Sequence, residues 1–414
     1  LMSQPYRPYA QALLEKQKYP DLRQNPGDPP IPPRRPAGWT LPLQMGVKCV
    51  QIETPFKANL TKLDEITYPS IIPPQETASY IVLDSRLNTS YSVVFSLIKE
   101  KAEIYRSKDI VKGKGFEAAA GCFIVKNTPQ VQKALPGLLD KWHVKAYELD
   151  NIVDIPKAPL KKFRVGLYQS WRSNMNEGWI RYVFDDLSIP FTTLHNNDFK
   201  GTKKEKANLR SKFDVIVFAD ENPEVIKTGK SARGSRFGRS RARPPEYEGG
   251  IGRSGIEALK SFVEQGGILV TLAGACGLAF NEFGVPVGNA IEGVDRSQFL
   301  CPGSILKIKV DNKTPIGYGM PEEAAIMFYR SMALSTRVPS TDWDRKVVAR
   351  FPEDNILLSG WFFGKDVIGH KAAVVDTQYK KGHIILIGFR CQHRAQSHGT
   401  YKFLLNSLLY PEVD

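Results

Sequence analysis

The stretch Gly255-Ile256-Glu257-Ala258-Leu259-Lys260-Ser261-Phe262-Val263-Glu264-Gln265-Gly266-Gly267-Ile268-Leu269-Val270-Thr271-Leu272 decides the fold. Ile256, Leu259, Phe262 and Val263 recur at helical spacing and so share one apolar face; Gly266-Gly267 ends the helix, and the next five residues read as a strand. The same alternation runs outward in both directions. Upstream lie strands at Arg164–Tyr168, Phe191–Leu194 and Phe213–Phe218, with a helix over Gly178–Leu187 that places Ile180, Val183 and Phe184 on one side. Downstream come strands at Ile305–Val310, Lys346–Phe351, Ala372–Val375 and Ile384–Phe389, the last two joined across a Lys380-Lys381-Gly382 turn, and a closing helix over Tyr401–Leu409. Short β-branched strands alternating with amphipathic helices specify an α/β domain with a mostly parallel, doubly wound, flavodoxin-like sheet, spanning 159–414.

Two further segments precede it. Residues 46–158 read as a smaller α/β module: strand Tyr80–Leu83, a helix from Asn88 to about Lys101, strand Cys122–Val125, a helix over Val131–Trp142 interrupted near Pro136, and strand Val144–Leu149. Residues 1–45, with Gly27-Asp28-Pro29-Pro30-Ile31-Pro32-Pro33 at their centre, form a proline-rich connector that cannot enter a helix or a central strand, with one short helix over Tyr9–Lys18. The opening Leu1-Met2-Ser3-Gln4 is neither a translation start nor a signal sequence, so the chain is expected to be a truncated or processed piece.

Charge and cysteine usage narrow the function classes. At 414 residues and a formal charge of +14, the chain would suit a polyanionic partner if its charge were clustered. Seven bases between Lys227 and Arg243 do cluster, but almost no aromatic side chain accompanies them, which argues for a solvated insertion over a nucleic-acid site. Binding of a polyanion through 227–243 is one alternative function. No apolar run is long enough to span a bilayer, and the five cysteines show no paired spacing.

Ligands of an open parallel sheet gather at the carboxyl ends of its strands. The polar groups there are Gln169–Glu177, His195–Asp198, Asp220-Glu221-Asn222, Gly274–Gly277 and Arg390–Arg394 with His398. Candidate ligand contacts are Asn174, Asn176, Glu177, Trp179, Glu246, Tyr247, Arg390, His393 and His398. Gly274-Ala275-Cys276 resembles the nucleophile turn of class I glutamine amidotransferases, which makes Cys276 the one candidate nucleophile and a cysteine-dependent hydrolase the second alternative. Against it, Leu278 stands where that family has glycine, and neither His393 nor His398 is followed two residues on by glutamate. No histidine lies in a metal-binding spacing, so no metal or other cofactor is expected in this chain.

Five blocks in order resemble the region that follows the peptidase domain in bacterial zinc carboxypeptidases: Gly38–Val47, Asn174–Trp179, Pro244–Gly252, Cys301–Leu306 and Gly388–Thr400. The resemblance implies a secreted or periplasmic setting, a zinc-bearing peptidase domain in the same polypeptide as partner, and for this chain a non-catalytic, ligand-binding accessory role toward a peptide or polymer. Zinc would belong to the peptidase domain, since its ligand pair has no counterpart here.

Overall fold

The computed structural model describes residues 5–160, 163–201, 207–230, 244–338 and 343–410. Within the small module, β1 (Tyr80–Leu83), α1 (Asn88–Lys99), β2 (Ile104–Ser107), β3 (Phe123–Lys126), α2 (Pro129–Trp142) and β4 (Ala146–Leu149) follow one another as β-α-β-β-α-β. They pair antiparallel in the order β4-β1-β3-β2, and β5 (Lys157–Pro159) adds to the β2 edge. That order is the split βαβ, or ferredoxin-like, arrangement. Pro136 does not interrupt α2, which runs unbroken past it.

The second unit contains β6 (Val165–Tyr168), α3 (Met175–Asp186), β7 (Thr192–Leu194), β8 (Val215–Phe218), α4 (Gly252–Glu264), β9 (Ile268–Leu272), α5 (Cys276–Glu282), β10 (Ser304–Val310), β11 (Glu323–Phe328), β12 (Trp343–Arg350), β13 (Ala372–Tyr379), β14 (Gly382–Ile387) and α6 (Tyr401–Leu408). Its main sheet runs β11-β10-β12-β13-β14-β9-β8-β6-β7. From β7 to β14 the neighbours are parallel, in flavodoxin-like order 2-1-3-4-5. From β14 to β11 they are antiparallel. The sheet is therefore mixed, a correction to the mostly parallel expectation. The reason lies at Lys380-Lys381: a two-residue connection can only reverse the chain, whereas parallel neighbours need a crossover. The parallel half is covered on both faces. Val215 and Val217 of β8 pack into the core that holds Ile180, Val183 and Phe184 of α3, while Ile216 and Phe218 pack with Ile256, Leu259 and Phe262 of α4.

Arg106, fully buried on β2, fastens the two units. It donates to the carbonyls of Gly121 (3.1 Å) and Leu409 (3.3 Å), to the Tyr91 hydroxyl (3.1 Å) and to Asn406 Oδ1 (2.6 Å), and lies over the rings of Phe123 and Tyr318. Asn406 in turn donates to the carbonyls of Ile316 and Tyr318. The apolar core is continuous across this seam, from Ile81 and Phe123 to Phe403 and Leu408.

The connector carries helix Arg7–Leu14 and lies over the second unit: Gln17 meets Ser359, and the backbone of Ala37 and Gly38 bonds Gly303. Between Gly46 and Ala78 the chain forms neither helix nor strand. Within this arm Val50, Ile52, Phe56 and Leu60 are all at least 61% exposed. No helix among the described residues is long and apolar enough to cross a membrane.

Candidate functional site

A cavity of about 720 Å³ opens at the carboxyl ends of β6, β8, β9 and β14. In a 2-1-3-4-5 sheet the strand order reverses between β6 and β8, and the two connections leaving those strands part there to leave a crevice. Asp220, two residues past β8, is its hub. Its Oδ1 accepts the Gly274 N–H at 2.9 Å; its Oδ2 accepts Arg390 Nε at 2.6 Å and Asn176 Nδ2 at 3.3 Å. Gly274 permits this approach because a Cβ there would sit 2.7 Å from the same Oδ1. Beside it, Glu221 Oε2 accepts Ser170 Oγ (3.1 Å) and Asn174 Nδ2 (3.4 Å). Asn174 also caps α3, its side-chain oxygen accepting the Asn176 N–H at 2.9 Å, so one residue both starts the helix and points its amide at the β8 exit.

The sequence candidates divide into three groups. Asn174, Asn176 and Arg390 line the crevice. Three residues on from Arg390, His393 is buried with its ring roughly perpendicular to that of Tyr329, and Gln392 bonds the Asn176 carbonyl at 3.2 Å. Burial, with Arg390 and Arg394 alongside, holds the His393 imidazole down to about 4, so it is neutral at pH 7. Tyr247 does not line the crevice but belongs to an aromatic group at the β6 and β7 exits that reaches it through Trp171, next in sequence to the lining Arg172: its ring centroid lies 5.0 Å from Trp171 and 4.4 Å from His195, and its hydroxyl donates to Gln169. Glu246 is exposed on the same turn.

The remaining candidates face elsewhere. Glu177 is buried in an ion pair with Arg181, one turn along α3. Trp179 packs edge-on to Tyr182 and does not line the cavity, and His398 stacks on Tyr401 with its carbonyl accepting Asn88 Nδ2 from the small module.

Cys276 is placed against a nucleophilic role. It begins α5, but its Sγ turns into the sheet, toward the carbonyls of Thr271 (3.4 Å) and Ile387 (3.5 Å), and is fully buried. Desolvation pushes its thiol up to about 12, the reverse of the activation expected at a helix N-terminus. The strained turn that follows β9 is three residues earlier: Ala273 has φ +45°. A strained strand-to-helix elbow holds the nucleophile in α/β-hydrolases, and the turn here carries a methyl group.

Sequence reading left several lining residues out. Asp220 and Glu221 stood among the polar exits yet were not singled out, although their position directly after an all-apolar strand was the available signal. Arg330, Asn289 and Glu292 also line it but come from outside the parallel half, so no strand-exit argument reaches them. Among the described residues no group of three or more His, Cys, Asp or Glu side chains is placed to hold a metal ion. Lys227 and Lys230 of the basic run are described, whereas 231–243 lie outside the described residues.

No protein-family model and no curated protein matches the sequence. Among solved structures the chain is similar to a cytoplasmic protein from Salmonella typhimurium (12% identity, 61% of this chain and all of that one, TM-score 0.36). It is also similar to a ThuA-like protein from Bacteroides uniformis (12%, 59% and 89%, TM-score 0.32). A third is an exo-β-1,4-mannosidase from an Opitutaceae bacterium (11%, 60% and 36%, TM-score 0.33).

Proposed function

We propose that this chain is a non-catalytic, ligand-binding accessory region of a zinc carboxypeptidase-type polypeptide, acting in a secreted or periplasmic setting beside the peptidase domain of that polypeptide. One observation carries the reading: the Asp220 crevice offers fixed donors and acceptors, while the elbow beside it presents Ala273 and the neighbouring thiol is sealed in the core. Such an arrangement can orient a polar ligand but presents neither a thiol nor a hydroxyl at the elbow to attack one. The five sequence blocks that resemble carboxypeptidase post-peptidase regions support the link to a parent enzyme, and two of them, Asn174–Trp179 and Gly388–Thr400, contribute Asn174, Asn176 and Arg390 to the crevice.

The test is to incubate the purified chain with peptides bearing free carboxyl termini and to measure released amino acids with and without a chelator. No release is expected in either case. Chelator-sensitive release overturns the accessory assignment, and release abolished by iodoacetamide together with Cys276→Ser reinstates the cysteine hydrolase.

A further inference from the structure

Resting on the reading of the crevice as a binding site, we infer that its ligand is a neutral oligosaccharide, gripped by the amides and carboxylates within and stacked on Trp171 and Tyr247 at the lip. Small-molecule pockets are mostly apolar with a few polar anchors. This one is as polar as it is apolar: most of its lining residues carry amide, carboxylate or guanidinium groups, and Phe280 is its single aromatic. A ligand that satisfies such a wall must carry many hydroxyls, each both donating and accepting.

Charge excludes the other polar classes. Asp220 and Arg390 neutralise each other through a 2.6 Å hydrogen bond. What remains is Arg172 and Arg330 against Glu221, Glu224 and Glu292, close to balance. Phosphate-rich or polycationic ligands need one sign in excess. A peptide bound as an added strand needs a sheet edge, and the crevice lies instead at the carboxyl ends of the parallel strands. Vicinal hydroxyls, by contrast, match the paired oxygens of a carboxylate and the paired N–H groups of a guanidinium.

The lip supplies the second half of the argument. Gln169-Ser170-Trp171-Arg172 runs directly from the β6 exit, so Trp171 is next in sequence to a crevice-lining arginine. Trp171 is 44% exposed and Tyr247 half-buried, an aromatic pair with ring centroids 5.0 Å apart. The Tyr247 hydroxyl on Gln169 and the Asn196 amide on the Tyr247 carbonyl (2.9 Å) hold that ring in place. The C–H face of a pyranose stacks on such rings, while its hydroxyl rim turns to the polar wall. A chain of two or more sugars would span both.

Titration calorimetry with chitotetraose, cellotetraose and maltotetraose tests this, with tetra-alanine and sodium phosphate as the competing classes. At least one tetrasaccharide is expected to bind with a sub-millimolar Kd and to quench tryptophan fluorescence. Trp171→Ala should weaken it at least tenfold and remove much of the quench, and Gly274→Ala should weaken it comparably without touching the lip. Melting curves of both variants distinguish lost binding from lost folding. No sugar binding at 5 mM overturns the inference, as does sugar binding unaffected by either variant. If tetra-alanine or phosphate binds instead and Gly274→Ala abolishes it, the crevice reading stands and the sugar inference falls. If none of the probes binds, both fall.

Discussion

Two polar clusters in this protein look alike in composition and differ in what they leave over. At the seam, Arg106, Tyr91 and Asn406 sit wholly inside the molecule and bond one another, the carbonyls of Gly121, Leu409, Ile316 and Tyr318, and, through the guanidinium, two aromatic faces. At the crevice, Asp220, Arg390 and Asn176 form a knot of similar size, yet Arg172, Arg330 and Glu292 around it make no ion pair among the described residues. A sealed and satisfied network specifies how two units dock, whereas an open one leaves charged groups facing solvent.

The comparison can be broken by mutation. Arg106→Ala should cost the most, on the order of 3 to 5 kcal/mol, because it strands Asn406 and the carbonyls of Gly121 and Leu409 in the core. Chemical unfolding would read this, and a loss below about 1 kcal/mol would mean that the seam is not the fastening it looks to be. Acid should act next. His393 is held near 4 when folded but takes protons from its ordinary 6.5 when unfolded, so the stability it contributes is present above pH 6.5 and is lost as pH falls toward 4. The loss is about 2 to 3 kcal/mol at pH 4, and His393→Gln should flatten it; an unchanged pH profile in the variant rules the histidine out as the cause.

Lys402 sharpens the contrast from the opposite direction. It is buried on α6, and desolvation lowers its ammonium to about 8, so charge is carried there at a cost at pH 7. Stability is therefore expected to rise between pH 8 and about 10.5, and Lys402→Met should stabilise the protein at pH 7 by about 2 kcal/mol. A destabilised Lys402→Met would reveal a bonding role for the ammonium. Asp220→Ala is expected to cost about 1 to 2 kcal/mol, less than the seam variant, because crevice water can reach the freed Arg390. Should it cost as much as Arg106→Ala, the crevice cluster is structural too. The smallest effect belongs to Ala273→Gly, a gain of up to about 1 kcal/mol from relief of the positive φ.

Much of this architecture was legible in the residues because burial on both faces writes itself as apolar runs: β8 and β9 and the α4 stripe fall within a residue or three of their expected ends. The edges were not legible. Trp343-Asp344-Arg345, the start of β12, is polar because only its later residues reach the core, and β11 hides behind Glu323 and two alanines. For the site, topology placed Asn174, Asn176 and Arg390 together from strand exits alone. It misplaced Glu177 and Trp179, because which way a side chain turns on a helix of known position depends on the partners it packs against: Arg181, one turn along, draws Glu177 aside, as the Thr271 and Ile387 carbonyls draw the Cys276 thiol inward.

The arm between Gly46 and Ala78 has a practical consequence for anyone handling the protein. From Val50 to Leu60 its even-numbered positions are Val, Ile, Thr, Phe, Ala and Leu, its odd ones Gln, Glu, Pro, Lys and Asn, the rhythm of a strand with one greasy side, but it lies unpaired among the described residues. A tether of this kind is the first place for a protease to cut and for purified material to clump, so trimming or shielding it would be the quickest route to a well-behaved sample.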